Sequence, residues 1–239
     1  MAAPTVDPAR NKSAVGEGAL QAFVAGYVDT CGFIALFGLF TAHVTGNLVL
    51  IGAAIVEHRG GLWGKLIALP VFILAVAASR WLNIALENRG KNSAVPLLGI
   101  QILFLCGFLG VGLAATPISD FDAPLAVLAG MLGVTAMAVQ NTTSRTLYAM
   151  YTPTTVMTGN VTQVVIDLVD LGSGRGTPEA KARVRKMLPA ILAFTAGALL
   201  SAVAYTLIGF WCLVAPIAAL SLLFIRELRR KTPPALPRS

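Results

Sequence analysis

The chain has little charge for its length. Only 12% of its 239 residues are charged and 56% are hydrophobic, and the mean hydropathy is +0.76. A soluble domain carries about 25% charged residues, because its large surface must be compatible with water. This deficit excludes a soluble enzyme, a disordered chain and a coiled coil. The composition predicts an integral membrane protein with several spans.

Motifs for metal binding and catalysis are also missing. The three cysteines (Cys31, Cys106 and Cys212) all fall in apolar runs and show no Cys-x-x-Cys spacing, so we expect neither a disulfide framework nor a zinc site. The two histidines, His43 and His58, belong to no metal-binding motif and no Ser-His-Asp arrangement. We therefore expect no metal, no cofactor and no enzymatic activity.

Basic residues outnumber acidic ones by 18 to 11, but their placement indicates a membrane and not nucleic acid. They lie in short gaps between apolar runs and near the C-terminus, which is typical of cytoplasmic loops. The N-terminus is polar and lacks the pattern of a signal peptide. We expect the lipid bilayer and an unidentified small solute as partners and no nucleic acid, and leave a homo-oligomer open.

Apolar runs of about 20 residues, the length that crosses a bilayer, occur six times. They cover residues 19–40, 65–86, 94–115, 123–148, 187–207 and 209–226. Two further segments are unusual, because residues 43–56 are short for a span and residues 154–171 carry several polar side chains. We predict an all-α integral membrane protein with six transmembrane helices and two re-entrant or short half-helices.

The two unusual segments contain the same tripeptide. The first motif consists of Thr45, Gly46 and Asn47, and the second motif of Thr158, Gly159 and Asn160. Asp29 stands before the first motif and Asn141 before the second, at nearly the same distance. Each motif is also followed by a proline in an apolar run, Pro70 after the first and Pro189 after the second. This order predicts a duplication. The predicted units are a cytoplasmic tail (1–17), a first membrane repeat (18–115), a second membrane repeat (123–228) and a basic cytoplasmic tail (229–239).

Charge placement favours six crossings over eight. If both unusual segments enter and leave on one side, every lysine and arginine except Arg59 and Lys65 faces the same side, and the loop with Asp120 and Asp122 faces the other. If both segments cross fully, the basic residues are more mixed. Six crossings predict a 3+3 inverted repeat and eight predict a parallel one. Both arrangements place both termini in the cytoplasm.

The polar segments resemble a known family. Residues 26–29 (Gly-Tyr-Val-Asp) and 40–47 (Phe-Thr-Ala-His-Val-Thr-Gly-Asn), followed by Gln140, Asn141 and the second motif, are similar to the YoaK-like family of small bacterial membrane proteins, the domain of unknown function 1275. The resemblance implies a multi-pass protein of the bacterial inner membrane. It implies no substrate and no catalytic residue.

The two Thr-Gly-Asn motifs are candidate substrate-binding or translocation residues. Backbone that turns inside a bilayer must hydrogen bond internally or line a cavity. Glycine permits such a turn, and threonine and asparagine can cap the helix that follows. A helix N-terminus favours an anionic or polar ligand, and two of them entering from opposite sides would meet near the membrane midplane. The competing interpretation is helix packing through small and polar residues.

Asp29 is the sharpest single candidate, because a carboxylate in the middle of a span costs about 2.5–3.5 kcal/mol on insertion scales. It is a candidate proton carrier, and the competing interpretation is a protonated or hydrogen-bonded aspartate that serves helix packing. Its counterpart Asn141 cannot titrate. The weaker candidates are His43, Gln140, Arg145 and Asp167. We interpret His43 as an interfacial histidine, Arg145 as the cytoplasmic end of its helix, and Asp167 as facing Arg175 or the cytoplasm.

Three classes of function compete. A small transporter or channel would have its site between the two motifs. A non-transporting assembly factor or partner-binding subunit would turn its polar residues toward lipid. A membrane enzyme acting on a lipid or quinone would need a catalytic base at headgroup level. The duplicated polar motif in an apolar chain favours the first class.

Overall fold

The computed structural model describes residues 8–57, 61–120, 122–147 and 157–230 of the chain. These residues form helices and connecting turns, with no strand among them. The helices are α1 (Pro8–Ala35), α2 (Gly46–Glu57), α3 (Leu62–Glu87), α4 (Ala94–Ala115), α5 (Pro124–Thr146), α6 (Met157–Gly172), α7 (Pro178–Ile208), a 3₁₀ helix η1 (Gly209–Leu213) and α8 (Val214–Arg229). The predicted all-α fold is confirmed.

Five stretches are long and apolar enough to cross a membrane. They are Val15–Ala35 of α1, the whole of α3, α4 and α5, and the continuous run Pro178–Arg229. That last run has 52 residues and combines α7, η1 and α8, so its length suffices for two crossings of about 20 residues each. The two short helices, α2 with 12 residues and α6 with 16, carry the two Thr-Gly-Asn motifs at their N-terminal ends.

Helices α1 and α7 cross at very close range. A Cβ atom placed on Gly26 would stand 2.2 Å from the carbonyl oxygen of Phe194, and one placed on Gly197 would stand equally close to the backbone of α1. Glycine at both positions allows the backbones to touch. Ala22 and Ala190, which lie one turn before Gly26 and one turn before Phe194, share a small buried cluster. The two helices therefore run in the same direction.

Helix α8 returns along α1 in the opposite direction. Cys212, at the start of this return, lies against Cys31 near the end of α1, and Arg230, just after α8, forms an ion pair with Glu17 near the other end of α1. Gly209, with φ of 56°, allows the reversal between α7 and α8. The N-terminal end of α1 and the C-terminal end of α8 consequently lie at the same end of the bundle.

Helix α5 runs antiparallel to α1. Gln140 donates to the carbonyl oxygen of Gln21 at 2.8 Å and accepts from the side chain of Gln101 on α4 at 2.7 Å. Earlier in α5, Gly130 lies against Leu39, which follows the end of α1. The start of α5 is thus near the end of α1, and the end of α5 is near the start of α1.

The centre of the bundle consists mainly of α1 and α5. In their candidate spans, 67% and 61% of the most apolar window is buried, against 22% for α3 and 33% for α4. Large apolar side chains such as Trp81 and Leu207 are more than three-quarters exposed. A soluble monomer rarely exposes such a surface, whereas in a membrane it faces lipid. Polar groups carried by α1 and α5 are therefore shielded from lipid by the outer helices.

Candidate functional site

Asp29 of α1 binds the chain segment that leads into the first motif. Its Oδ1 accepts hydrogen bonds from the backbone N–H groups of Thr41 at 2.8 Å, Ala42 at 2.7 Å and His43 at 3.4 Å, and from the Thr41 hydroxyl at 3.3 Å. Its Oδ2 lies 2.6 Å from Nδ1 of His43. Asp29 is only 4% exposed, and this dense set of donors compensates the burial of a carboxylate.

The segment returns into the bundle after α1 has ended. Asp29 lies more than one turn before the end of α1 at Ala35, so residues 41–43 are alongside the body of that helix. The side chain of Lys65, in the first turn of α3, donates to the carbonyl oxygen of Phe37 at 3.1 Å. Helix α3 therefore begins near the level at which α1 ends, and α2 lies between these two points in the chain.

Asn47 closes the loop before α2. Its Oδ1 accepts from the N–H of Phe40, and its Nδ2 donates to the carbonyl oxygen of the same residue, both at 2.9 Å. The side chain is fully buried. The sequence predicts a helix-capping role for this residue type, but the structure uses both ends of the amide to hold Phe40. Gly46 fits beside the ring, because a Cβ there would stand 2.9 Å from a Phe40 ring carbon.

A pocket of about 470 Å³ opens beside these contacts. Its lining residues are Asp29, Thr30, Phe40, His43, Thr45, Gly46 and Phe194. The His43 ring packs edge-on against Phe194, with centroids 5.6 Å apart, and against Phe40 at 6.2 Å. The pocket is open to the exterior and combines charged and aromatic side chains, which together can contact a small molecule.

The imidazole of His43 is more accessible from this pocket than the carboxylate of Asp29. Its side chain is 36% exposed, against 6% for the Asp29 side chain. Nδ1 is committed to Asp29, which leaves Nε2 as the ring nitrogen able to meet a ligand or exchange a proton. The interpretation of His43 as a simple interfacial histidine omitted this pairing with Asp29.

The second motif follows Met157, whose cluster Phe194 also contacts. Asn160 is buried at 4% exposure, whereas Thr158 and Gly159 are exposed and do not line the pocket. Met157, the first residue of α6, packs in the small cluster of α1 and α7 alanines, and Phe194 packs against that same cluster. Among the described residues, Thr45 and Gly46 of the first motif line the pocket and no residue of the second motif does.

Asn141 makes a different contact from Asp29. Its Oδ1 accepts from Nε of Arg145, four residues further along the same helix, at 3.2 Å. Arg145 is exposed in the last turn of α5, which agrees with its interpretation as a helix-end residue. Residues 148–156, which lead into the second motif, lie outside the described residues. Gln140 contacts α1 and α4 in the bundle core and does not line the pocket.

Asp167 joins α6 to α7. It is 1% exposed and accepts two hydrogen bonds from Arg183, at 2.6 and 2.9 Å, and one from Gln163 at 3.1 Å. The sequence analysis expected Arg175 or the cytoplasm as its surroundings, whereas the partner in the structure is Arg183 of α7. Asp167 is part of a structural ion pair and not of the pocket.

Sequence reasoning missed three contributors to the pocket: Thr30, Phe40 and Phe194. Phenylalanine in an apolar helix carries no signal of its own, because most such side chains face the core or lipid. A signal did exist for the Asp29–His43 pair. An acid and a histidine both stand in apolar surroundings, and each is expensive there without a partner.

The comparisons with known proteins agree with the membrane assignment. The family described as "Protein of unknown function (DUF1275)" matches residues 18–226, and the chain belongs to this family. The chain is 27% identical over 150 residues to the UPF0700 transmembrane protein YoaK of Bacillus subtilis (strain 168), a match that covers 62% of this chain and 64% of that relative. The match thus spans just under two thirds of the relative's length. No solved structure matches the chain.

Proposed function

We propose that this member of the DUF1275 family is a transporter or channel for a small solute in the bacterial inner membrane. The pocket at Asp29 and His43 would be part of the translocation site. The observation that carries the proposal is a pocket with a buried carboxylate and a partly exposed imidazole on its wall, in a bundle of apolar helices. Ionisable groups at such positions are costly and mark ion and substrate pathways in membrane proteins.

Helix directions support six crossings arranged as a 3+3 inverted repeat. Helix α3 starts near the end of α1, so α2 need not cross the membrane and its segment would be re-entrant. The antiparallel direction of α1 and α5 means that the second set of helices would enter from the opposite side. In this topology the end of the bundle with Glu17 and Arg230 faces the cytoplasm, in line with the positive-inside rule.

The proposal assigns proton exchange to His43. In the neutral ring, Nδ1–H donates to Asp29, and Nε2 can accept a proton from the pocket. The resulting imidazolium is stabilised by the carboxylate beside it. Asp29 itself is held by three backbone N–H groups and a hydroxyl, so we propose it as the anchor of the pair. This reverses the sequence-based hypothesis that Asp29 carries the proton.

Phe194 is the proposed inner gate. Its ring lines the pocket and also packs against the cluster that contains Met157, directly before the second motif. Its backbone is held by the close contact with Gly26, so only the side chain is free to rotate. A rotation of this ring would connect the pocket to the N-terminal end of α6. The two motifs would then contribute to one pathway from opposite sides.

Burial weighs against a non-transporting partner subunit. A subunit that recognises a partner helix through polar residues would expose them to lipid. Asp29, Asn47 and Asn160 are at most 4% exposed, so their polar groups are directed into the protein. This favours transport over the alternative, which predicts instead a stable complex with another membrane protein.

Transport by purified protein in liposomes tests the proposal. Vesicles contain a pH-sensitive dye, carry an imposed pH gradient and are offered labelled anions, amines and small organic solutes in turn. We expect one class to enter with a parallel proton flux. His43→Ala should abolish the proton flux, because no group then exchanges a proton. It should also reduce concentrative uptake at least tenfold. Asn141→Ala, the matched change outside the pocket, should leave both intact.

Two results would contradict the proposal. Wild-type vesicles that move no solute and no protons above empty liposomes would remove transport altogether. Equal coupling in wild type and His43→Ala would remove the pocket from the pathway. Phe194→Ala sharpens the test, because loss of the gate should produce a leak in which solute moves down its gradient without accumulation.

A further inference from the structure

We infer that Cys31 and Cys212 are a redox modification site, a thiol pair that forms a reversible disulfide between α1 and the turn joining α7 to α8. The two sulfurs are 3.6 Å apart, and the side chains are 0% and 2% exposed. Both cysteines are free thiols in the structure. Neither lines the pocket, so the inference is independent of the proposed transport function.

The contact between the sulfurs follows from helix geometry. Cys31 is one turn before the end of α1, and Cys212 is in η1, where the chain reverses after Gly209. Forming a disulfide requires the sulfurs to close from 3.6 Å to about 2.05 Å. The close starting distance makes this a local movement.

The third cysteine is a built-in contrast. Cys106 of α4 is a free thiol exposed on the outer surface. A single exposed thiol can form a disulfide only with another molecule. Cys31 and Cys212 can form one within the chain, across 181 residues of sequence. The three thiols therefore should respond differently to the same oxidant.

A hydroperoxide is the class of oxidant that this buried pair would take, because hydrogen peroxide is small and uncharged. One sulfur attacks a peroxide oxygen, so that an S–O bond forms, the O–O bond breaks and one water leaves, giving a sulfenic acid. The second sulfur then attacks the sulfenic sulfur. An S–S bond forms, the S–O bond breaks and a second water leaves with the thiol proton. The two sulfurs lose two electrons, which reduce the peroxide to two waters.

Counting thiols in the full chain tests the inference. Purified protein in detergent is treated with hydrogen peroxide, denatured in SDS and labelled with a maleimide polymer that shifts the gel band once per free thiol. We expect three labels before oxidation and one afterwards, with an intact mass 2 Da lower and recovery of three labels after reduction with a phosphine. Cys106→Ser should change from two labels to none. Cys31→Ser and Cys212→Ser should give no species lighter by 2 Da.

The melting temperature is a second measurement, and it uses only the wild-type protein, so it does not depend on the folding of any variant. A disulfide that closes a long loop restricts the unfolded chain, so oxidised wild type should melt at a higher temperature than reduced wild type. Three labels after oxidation would overturn the inference. It would equally be overturned if thiols were lost with a gain of 16 or 32 Da, which signifies separate oxidation of single sulfurs, or if disulfide-linked dimers replaced the intrachain product.

Discussion

The two Thr-Gly-Asn motifs occupy similar positions in the chain but differ in where they hold charge. Before the first motif, the buried carboxylate of Asp29 binds the incoming segment and His43. Helix α2 itself is apolar from Gly46 to Val56. In the second region the buried acid is Asp167, near the far end of α6, where it binds Arg183. A buried carboxylate thus binds the chain just before α2 in the first region, and in the second region it lies near the end of α6.

This difference follows from the number of hydrogen-bond acceptors in the side chain that precedes each motif. A carboxylate accepts hydrogen bonds on both oxygens, so Asp29 can bind three N–H groups and a hydroxyl on one oxygen and an imidazole on the other. The amide of Asn141 has a single acceptor oxygen, and in the structure that oxygen binds Arg145 of its own helix. The pocket lies beside Asp29, whereas Asn141 lines no part of it.

The largest expected effect comes from removing Asp29. Asp29→Ala leaves several buried N–H donors and the His43 ring without their acceptor, so we expect a loss of about 3–5 kcal/mol in the free energy of unfolding. Asn141→Ala removes only an amide contact to the exposed Arg145 and should cost less than about 1 kcal/mol. SDS titration of the detergent-solubilised protein measures both. Equal losses would mean that the two regions have the same structural role.

Removing Asp167 is expected to affect the second region alone. Asp167→Ala deletes an acceptor of three hydrogen bonds and should destabilise the protein less than Asp29→Ala does, because Arg183 is partly exposed and can be rehydrated. Hydrogen exchange should accelerate in α6 and remain unchanged in residues 41–47. Acceleration in residues 41–47 as well would show that the two regions are coupled and not independent.

The smallest effects on stability are expected at Gly46 and Gly159, the glycines of the two motifs, and they should have opposite signs. Gly46→Ala forces a Cβ against the Phe40 ring, and we expect it to destabilise the protein by about 1 kcal/mol and to reshape the pocket. Gly159→Ala meets nothing within 4 Å and lies in the first turn of α6, so its higher helix propensity should stabilise by about 0.5 kcal/mol. Thermal unfolding of the two variants side by side decides the comparison. A destabilised Gly159→Ala would contradict it.

Hydropathy predicted the membrane parts of the helices better than their ends. Residues 94–115 coincide with α4, because both ends of that helix are also the ends of an apolar run. Helix α7 begins at Pro178 and not at the predicted residue 187, since its first turns are polar and Thr177 caps them by accepting from the N–H of Ala180 at 3.2 Å. A membrane-length criterion does not detect a helix that continues into water.

The sequence by itself determined the class of protein, the apolar helices and the two polar motifs. Hydropathy and short motifs depend only on residues that are close together in the chain. Only the tertiary structure decided which distant groups meet. Asp29 and His43 pair because the chain turns back beside α1 after that helix has ended, and Phe194 reaches their pocket because Gly26 and Gly197 let α1 and α7 touch. Cys31 and Cys212 meet because the chain reverses at Gly209. Such contacts depend on how the helices cross and on where a segment turns back into the bundle. No local property of the chain determines either of these.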